Sequence, residues 1–355
     1  MIPVTILTGF LGSGKTTLLK RILNEKHGMK IAVIENEFGE ENIDNEILVQ
    51  ETNEQIIQMS NGCICCTIRG DLARALEDLA NRKKAGTLDF DRVVIETTGL
   101  ANPGPVAQTF FMDNTVADEF LLDAIITLVD AKHANAQLDQ HEVVQRQVGF
   151  ADRLFITKSD LVDADALEAL KHRLLHMNPR AAIRTVNFGE ADIKEIFDLR
   201  GFNLNSKLEI DPDFLAEDEH DHAHDHAHDH DHDHSTCGHD HSHDHEHHHH
   251  HHAHHDDKIK SFVYRSEKPF DPNRLEDFLG GILQIYGERL LRYKGVLYMK
   301  GVDRKVVFQG VHQMMGSDLA SKWMPVEKKN SKMVFIGIEL PKDLITDGLD
   351  ACLVK

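Results

Sequence analysis

Apolar residues recur along this chain in two periods, and the first two hundred residues alternate between them. Continuous, largely β-branched runs mark buried strands at 3–8, 30–35, 92–95, 124–129, 154–156 and 183–186, with a shorter candidate at 56–59. Between them the spacing turns helical. Leu18, Leu19, Ile22 and Leu23 share one face, as do Leu72, Ala75, Leu76 and Leu79, and a helix over 164–177 stops ahead of Pro179. Strands with no polar face, separated by helices, need cover on both sides. The pattern predicts an α/β domain over residues 1–202, doubly wound around a largely parallel sheet.

Periodicity then disappears. Residues 203–257 are expected to form a disordered linker, because almost no apolar residue is available to build a core. From Lys258 a smaller α+β domain is expected to run to Lys355. Ile259–Tyr264 alternates as a strand, and Asp271-Pro272-Asn273 opens a helix that places Leu275, Phe278, Leu279, Ile282 and Leu283 on one face. Further strands are expected at 295–299, 305–309 and 333–338, and a last helix after Pro341.

Charge changes the picture in one place. The net charge is −20, yet fifteen Asp or Glu and no Lys or Arg lie between Asp211 and Asp257. The remaining charge is ordinary, and the acidic balance argues against nucleic acid or an anionic membrane as partner. No stretch approaches bilayer-spanning length, and Met1-Ile2-Pro3 opens directly into the first strand, so a cytoplasmic protein is expected. The linker also holds 20 of the 26 histidines, six of them consecutive from His247 to His252. A purification tag would not stand inside the chain among His-Asp repeats. Neutral imidazoles beside carboxylates collect divalent transition metals, weakly and without selectivity where no geometry is fixed.

Specific chemistry begins at Gly9-Phe10-Leu11-Gly12-Ser13-Gly14-Lys15-Thr16-Thr17, a G-x-x-x-x-G-K-[ST] loop between a strand and a helix. Its glycines let backbone N–H groups turn inward on phosphates, and the helix N-terminus adds positive potential. Lys15 is expected on the β/γ-phosphates and the Thr16 hydroxyl on Mg²⁺. The strand at 92–95 closes on Glu96-Thr97-Thr98-Gly99, which suits a carboxylate near the metal or the attacking water, with the Gly99 N–H near the γ-phosphate. Thr157-Lys158-Ser159-Asp160 resembles the guanine-reading N-K-x-D, with Thr157 in place of Asn. Asp160 keeps the acceptor that excludes adenine and the Lys158 stem packs on the base, so GTP is preferred. Ser159 or Asp160 also suits a plain helix cap.

Cys63, Cys65 and Cys66 stand within four residues of a five-cysteine chain. In a reducing compartment such a cluster reads as soft-metal ligation, Zn²⁺ above all, with a fourth ligand supplied from elsewhere. Buried small residues are the plainer reading. Cys237 and Cys352 are expected to be incidental.

These motifs occur in a fixed order, with Asn36-Glu37-Phe38-Gly39-Glu40 after the second strand and Arg292-Tyr293-Lys294-Gly295 in the C-terminal region. In that order the chain resembles the CobW-like metallochaperone P-loop GTPases, in their YjiA-like branch, relatives of HypB and UreG. The resemblance spans nearly everything but the histidine insert. It implies a GTPase that carries zinc on the C-x-C-C cluster and delivers it to a client metalloprotein. Implied nucleotide contacts are Gly9, Gly12, Ser13, Gly14, Lys15, Thr16, Thr17, Lys158 and Asp160, with Thr16 and Glu96 beside Mg²⁺. Cys63, Cys65 and Cys66 are the implied metal ligands, with Glu35, Glu37 and Glu40 as further candidates. A homodimer stays open. Two other classes compete: a passive metal buffer with a structural nucleotide, and a P-loop kinase or ligase, for which no acceptor-substrate motif stands in the chain.

Overall fold

The computed structural model describes residues 1–35, 68–199, 201, 257–324 and 327–354. Six strands form the first sheet: β1 (Ile2–Gly9), β2 (Ile31–Glu35), β3 (Arg92–Glu96), β4 (Phe120–Asp130), β5 (Arg153–Thr157) and β6 (Ala182–Thr185). They are all parallel, in the order β2-β3-β1-β4-β5-β6. Among the described residues seven helices accompany them: α1 (Lys15–Asn24), α2 (Ile68–Lys84), α3 (Pro103–Met112), α4 (Asn114–Glu119), α5 (Ala134–Gln140), α6 (Glu142–Phe150) and α7 (Ala164–Met177).

Two apolar clusters show that both faces are covered. Leu18, Leu19 and Ile22 of α1 pack with Val33, Val94 and Phe155 on one side. On the other, Leu76 and Leu79 of α2, Val148 of α6 and Leu174 of α7 pack with Ile6, Ile95 and Ile125. The doubly wound expectation holds. Strand order reverses at β1, flanked by β3 and β4, and such a crevice outside the carboxyl ends is where open α/β sheets take ligands. The strand expected at 56–59 and nearly all of the 203–257 tract lie outside the described residues.

The second sheet is antiparallel, in the order β10-β9-β8-β11-β7, from β7 (Ile259–Ser266), β8 (Leu290–Leu297), β9 (Arg304–Val311), β10 (Met314–Lys322) and β11 (Ser331–Ile338). Helices α8 (Pro272–Tyr286) and α9 (Lys342–Ala351) cover one face, burying Leu275, Leu279, Ile345 and Leu349 against Tyr264, Tyr293 and Phe335. Asp271 caps α8 by accepting from the Arg274 N–H at 3.3 Å, as the Asp-Pro start predicts. Two expectations need correction. The strand expected at 295–299 is β8, which begins five residues earlier and ends at Leu297. Edge strand β10 has no counterpart in the expected set, because its Met-Met-Gly-Ser-Asp-Leu run has neither apolar alternation nor β-branched residues.

The opposite face of this sheet packs on the first domain. Ile259, Leu291, Val311, Val334 and Ile336 share one cluster with Val148 and Phe150 of α6. Two buried arginines fasten the contact. Arg292 donates to Phe150 O at 2.9 Å, to Gly201 O at 3.2 Å and to the Asp152 carboxylate. Arg173 of α7 holds the Asp257 carboxylate with two bonds of 3.0 and 2.5 Å. Removing one member of such a buried pair strands the other, typically costing about 3–5 kcal/mol. Among the described residues no helix is long and apolar enough to cross a membrane.

Candidate functional site

The loop joining β1 to α1 depends on its glycines. Gly9, Gly12 and Gly14 have φ of 140°, 73° and 97°, a region that side chains rarely enter. At Gly9 there is no space either, since a Cβ there would lie 2.4 Å from Leu128 O. Lys15, at the first turn of α1, curls back so that its amine donates to Gly9 O at 2.8 Å and Phe10 O at 3.1 Å. Burial pushes this amine below its ordinary pKa, with Glu96 pulling the other way. Beside it Ser13 is buried, and its Oγ has no hydrogen-bond partner among the described residues.

One residue on, the Thr16 hydroxyl donates to Glu96 Oε1 at 2.9 Å, joining α1 to the end of β3. Glu35 closes β2 in register with Glu96, so two carboxylate-bearing strands end side by side. Past Glu96 the chain stays tied to β1. The Thr97 N–H donates to Leu7 O at 3.0 Å and its hydroxyl to Thr8 Oγ1 at 2.9 Å. Thr98 Oγ1 is a second buried hydroxyl with no partner among the described residues. Gly99 then lies directly on the phosphate loop, where a Cβ would stand 2.6 Å from the Leu11 backbone nitrogen. Buried polar groups are normally satisfied. Two orphaned hydroxyls and an ammonium resting on carbonyls are what phosphate oxygens and a hydrated divalent cation would complete, so the residues fit both.

A cavity of about 300 Å³ opens next to this loop, lined by Ser13, Gly14 and Thr17 on one side and Lys158, Asp160 and Phe188 on the other. Thr157, the departure from the guanine signature, has a defined task. Its hydroxyl donates to Ser13 O at 2.9 Å and approaches Val129 O at 3.3 Å, tying the segment that leads into Lys158 to the glycine-rich loop. Lys158 follows in the left-handed region at φ 55°, and its amine sits 2.6 Å from Asp130 Oδ2. Burial pushes the Asp130 carboxyl up, but bonds from Lys158 and His133 outweigh it and leave the group below the usual carboxylate range. The Lys158 stem is thereby aimed along the cavity wall. Asp160 is exposed within the short 3₁₀ turn Ser159–Leu161.

Sequence reasoning missed the third wall. Asn187 Oδ1 accepts from the Ser159 N–H at 3.0 Å and lies 3.1 Å from its hydroxyl, while Phe188 stands at the cavity 77% exposed. The signal was an Asn-Phe-Gly triplet leaving the last strand at the same sheet edge as the other motifs.

The metal candidates divide differently. Cys63, Cys65, Cys66, Glu37 and Glu40 lie outside the described residues, and Glu35 is placed at the end of β2. Among the described residues no group of three or more His, Cys, Asp or Glu side chains is arranged to hold a metal. Cys352 is buried in the second core, where burial raises its thiol pKa.

Two family descriptions match this chain: the nucleotide-binding domain of CobW/HypB/UreG over residues 3–185 and the C-terminal domain of the cobalamin synthesis protein CobW over 259–353. The zinc chaperone YjiA of Escherichia coli is 40% identical over 347 residues, covering 97% of this chain and 96% of that protein. The zinc chaperone CobW of Pseudomonas aeruginosa is 31% identical over 383 residues, covering 99% and 92%. The crystal structure of the Zn(II)-bound YjiA GTPase from E. coli superposes with a TM-score of 0.74 at 36% identity, covering 99% of each chain.

Proposed function

The chain belongs to the CobW/HypB/UreG family, and from that premise we propose that it is a GTP-hydrolysing zinc metallochaperone. The cargo is Zn²⁺, held on Cys63, Cys65 and Cys66 with Glu35, Glu37 or Glu40 as further ligands, and it passes to client metalloproteins in the cytoplasm under the control of bound GTP or GDP. A homodimer is the assembly to look for.

The observation that supports this reading best is the Thr16–Glu96 bond of 2.9 Å, together with the buried hydroxyls of Ser13 and Thr98 that have no partner among the described residues. Thr16 and Glu96 would hold Mg²⁺, which neutralises phosphate charge when bound. Lys15 supplies a second positive charge from the loop, released from the carbonyls of Gly9 and Phe10 onto phosphate oxygens. Gly99 brings a backbone N–H to the γ-phosphate side because it alone can lie this close to Leu11. Such positioning and charge stabilisation carry most of phosphoryl-transfer catalysis. At the far end of the cavity Asp160 accepts from guanine, Lys158 and Phe188 flank the base, and Thr157 holds this loop at a fixed distance from the phosphates.

The test is multiple-turnover hydrolysis of GTP by metal-stripped and zinc-loaded protein, with Lys15→Ala as control and with bound zinc counted for wild type and Cys65→Ser. The proposal expects phosphate and GDP as products, a rate that responds to zinc, no turnover in Lys15→Ala and loss of the tight zinc in Cys65→Ser. Turnover indifferent to zinc would leave a GTPase without the chaperone role.

A further inference from the structure

The segment that carries Glu96 to Ala101 is held from beneath by a residue outside every motif above. Gln147 of α6 is fully buried, and its Nε2 donates to Gly99 O at 3.1 Å and to Ala101 O at 3.0 Å. The helix turn that carries it is itself tied to the sheet, since Thr127 Oγ1 on β4 donates to Gln147 O at 2.8 Å. Its Oε1 is buried with no partner among the described residues. An apolar side chain of the same shape would avoid the unsatisfied acceptor but would take both bonds from the Gly99 and Ala101 carbonyls, so the amide is kept for what it holds.

Geometry says what the two donors accomplish. In a trans peptide the C=O and the following N–H point in opposite directions. With the Gly99 carbonyl drawn toward α6, the Leu100 N–H is turned away from the core. The Thr98 carbonyl in turn accepts from the Ala101 N–H at 3.1 Å, which orients the Thr98–Gly99 peptide that carries the Gly99 N–H. On the other side Gly99 is pressed against Leu11 of the phosphate loop, 2.6 Å from where its Cβ would be. Gly99 is therefore held between Leu11 on one side and Gln147 on the other.

We propose that Gln147 is a positioning residue for GTP hydrolysis, holding the Gly99 and Ala101 carbonyls so that the Gly99 backbone meets the phosphate end in reactive geometry. This rests on the GTPase reading above. Gln147 does not line the cavity, so its loss belongs in kcat rather than in binding.

Two variants test it in the full-length protein, followed by single- and multiple-turnover hydrolysis of Mg-GTP. Gln147→Met fills the same volume without a donor, and kcat is expected to fall by about tenfold or more while KM for GTP and the affinity for GDP stay within about twofold. Gln147→Glu opposes a carboxylate to two carbonyls when ionised but donates one O–H bond when protonated. Burial raises that carboxyl's pKa, so the variant's kcat, relative to wild type, is expected to recover as pH falls. Wild-type kcat in Gln147→Met overturns the proposal, and so does a parallel loss of kcat, GDP affinity and thermal stability, which would mark Gln147 as packing only. If the Met variant does not fold, the Glu variant decides alone, and a ratio to wild type that is flat with pH overturns the assignment. Absence of turnover in the wild type would instead defeat the GTPase reading itself.

Discussion

Thr157 and Ser13 are 144 positions apart in the chain, yet the Thr157 hydroxyl donates to the Ser13 carbonyl at 2.9 Å. The bond ties the start of the Lys158–Asp160 segment to the glycine-rich loop, and residues of both line the cavity. It gives the departure from N-K-x-D a physical account, because the tether needs one donor at that point and a hydroxyl supplies it. Replacing Thr157 with Val keeps the shape and removes the donor. A neutral hydrogen bond of this kind contributes about 0.5–1.5 kcal/mol, so GDP affinity is expected to weaken by about two- to tenfold. The preference for GTP over ATP should survive, since Asp160 is untouched. Calorimetric titration of GDP checks this, and unchanged affinity would show that the tether does not serve binding.

On the proposed function, Asp160 sets the base preference. It lies exposed at the cavity beside Lys158, whose amine is already held by Asp130. In Asp160→Asn an acceptor pair is exchanged for one acceptor and one donor. A site built around hydrogen bonds to a base discriminates strongly until its partner is altered. Competition between GTP and ATP should favour GTP clearly in the wild type and much less in the variant. Equal wild-type affinities would remove the guanine assignment.

The clamp between the domains predicts a pH effect. Lys294 lies on β8 near Arg180 and Arg292, with Asp152 as the compensating charge. Burial first, and then the two guanidinium groups, push its amine down from 10.5 to about 7. The sign follows from proton counting. Between pH 7 and 10.5 the unfolded chain binds the proton that the folded chain has lost, so stability rises with pH across that window. The charging penalty is present in full below about pH 7. Lys294→Met should therefore raise the urea midpoint at pH 6, and the gain should shrink by pH 9. A gain of equal size at both pH values would mean that packing, not charge, is responsible.

The inner strands of the first sheet were legible in the sequence because a parallel sheet covered on both sides leaves unbroken apolar runs such as 93–95, whereas edge strand β6 is half-buried or exposed along its length. Edge strand β10 was not, since one of its long sides has no neighbour among the described residues and its side chains alternate between half-buried and exposed. The site divides the same way. Gly9, Lys15, Thr16, Glu96 and Asp160 announce themselves by spacing within short motifs. Gln147 does not, because a lone Gln on an amphipathic helix has no signature until the fold sets it under Gly99, 48 positions away. Arg292 was noted for its motif, but its contact with Asp152 is visible only in three dimensions. Phe188 lies between these cases, marked by an Asn and a Gly whose partner Ser159 belongs to another strand end.

On the proposed function the nucleotide state governs the hold on zinc, and linkage defines what that requires. A nucleotide changes metal affinity only if it binds the metal-loaded and metal-free conformations differently, and zinc must then shift the ratio of GTP to GDP affinities by the same factor. The direct measurement is zinc affinity by chelator competition, made once with GDP and once with a non-hydrolysable GTP analogue, nucleotide occupancy being verified in both. Coupling of about 1–3 kcal/mol predicts affinities that differ by about 5- to 150-fold. Identical zinc affinities with both nucleotides bound would contradict the account.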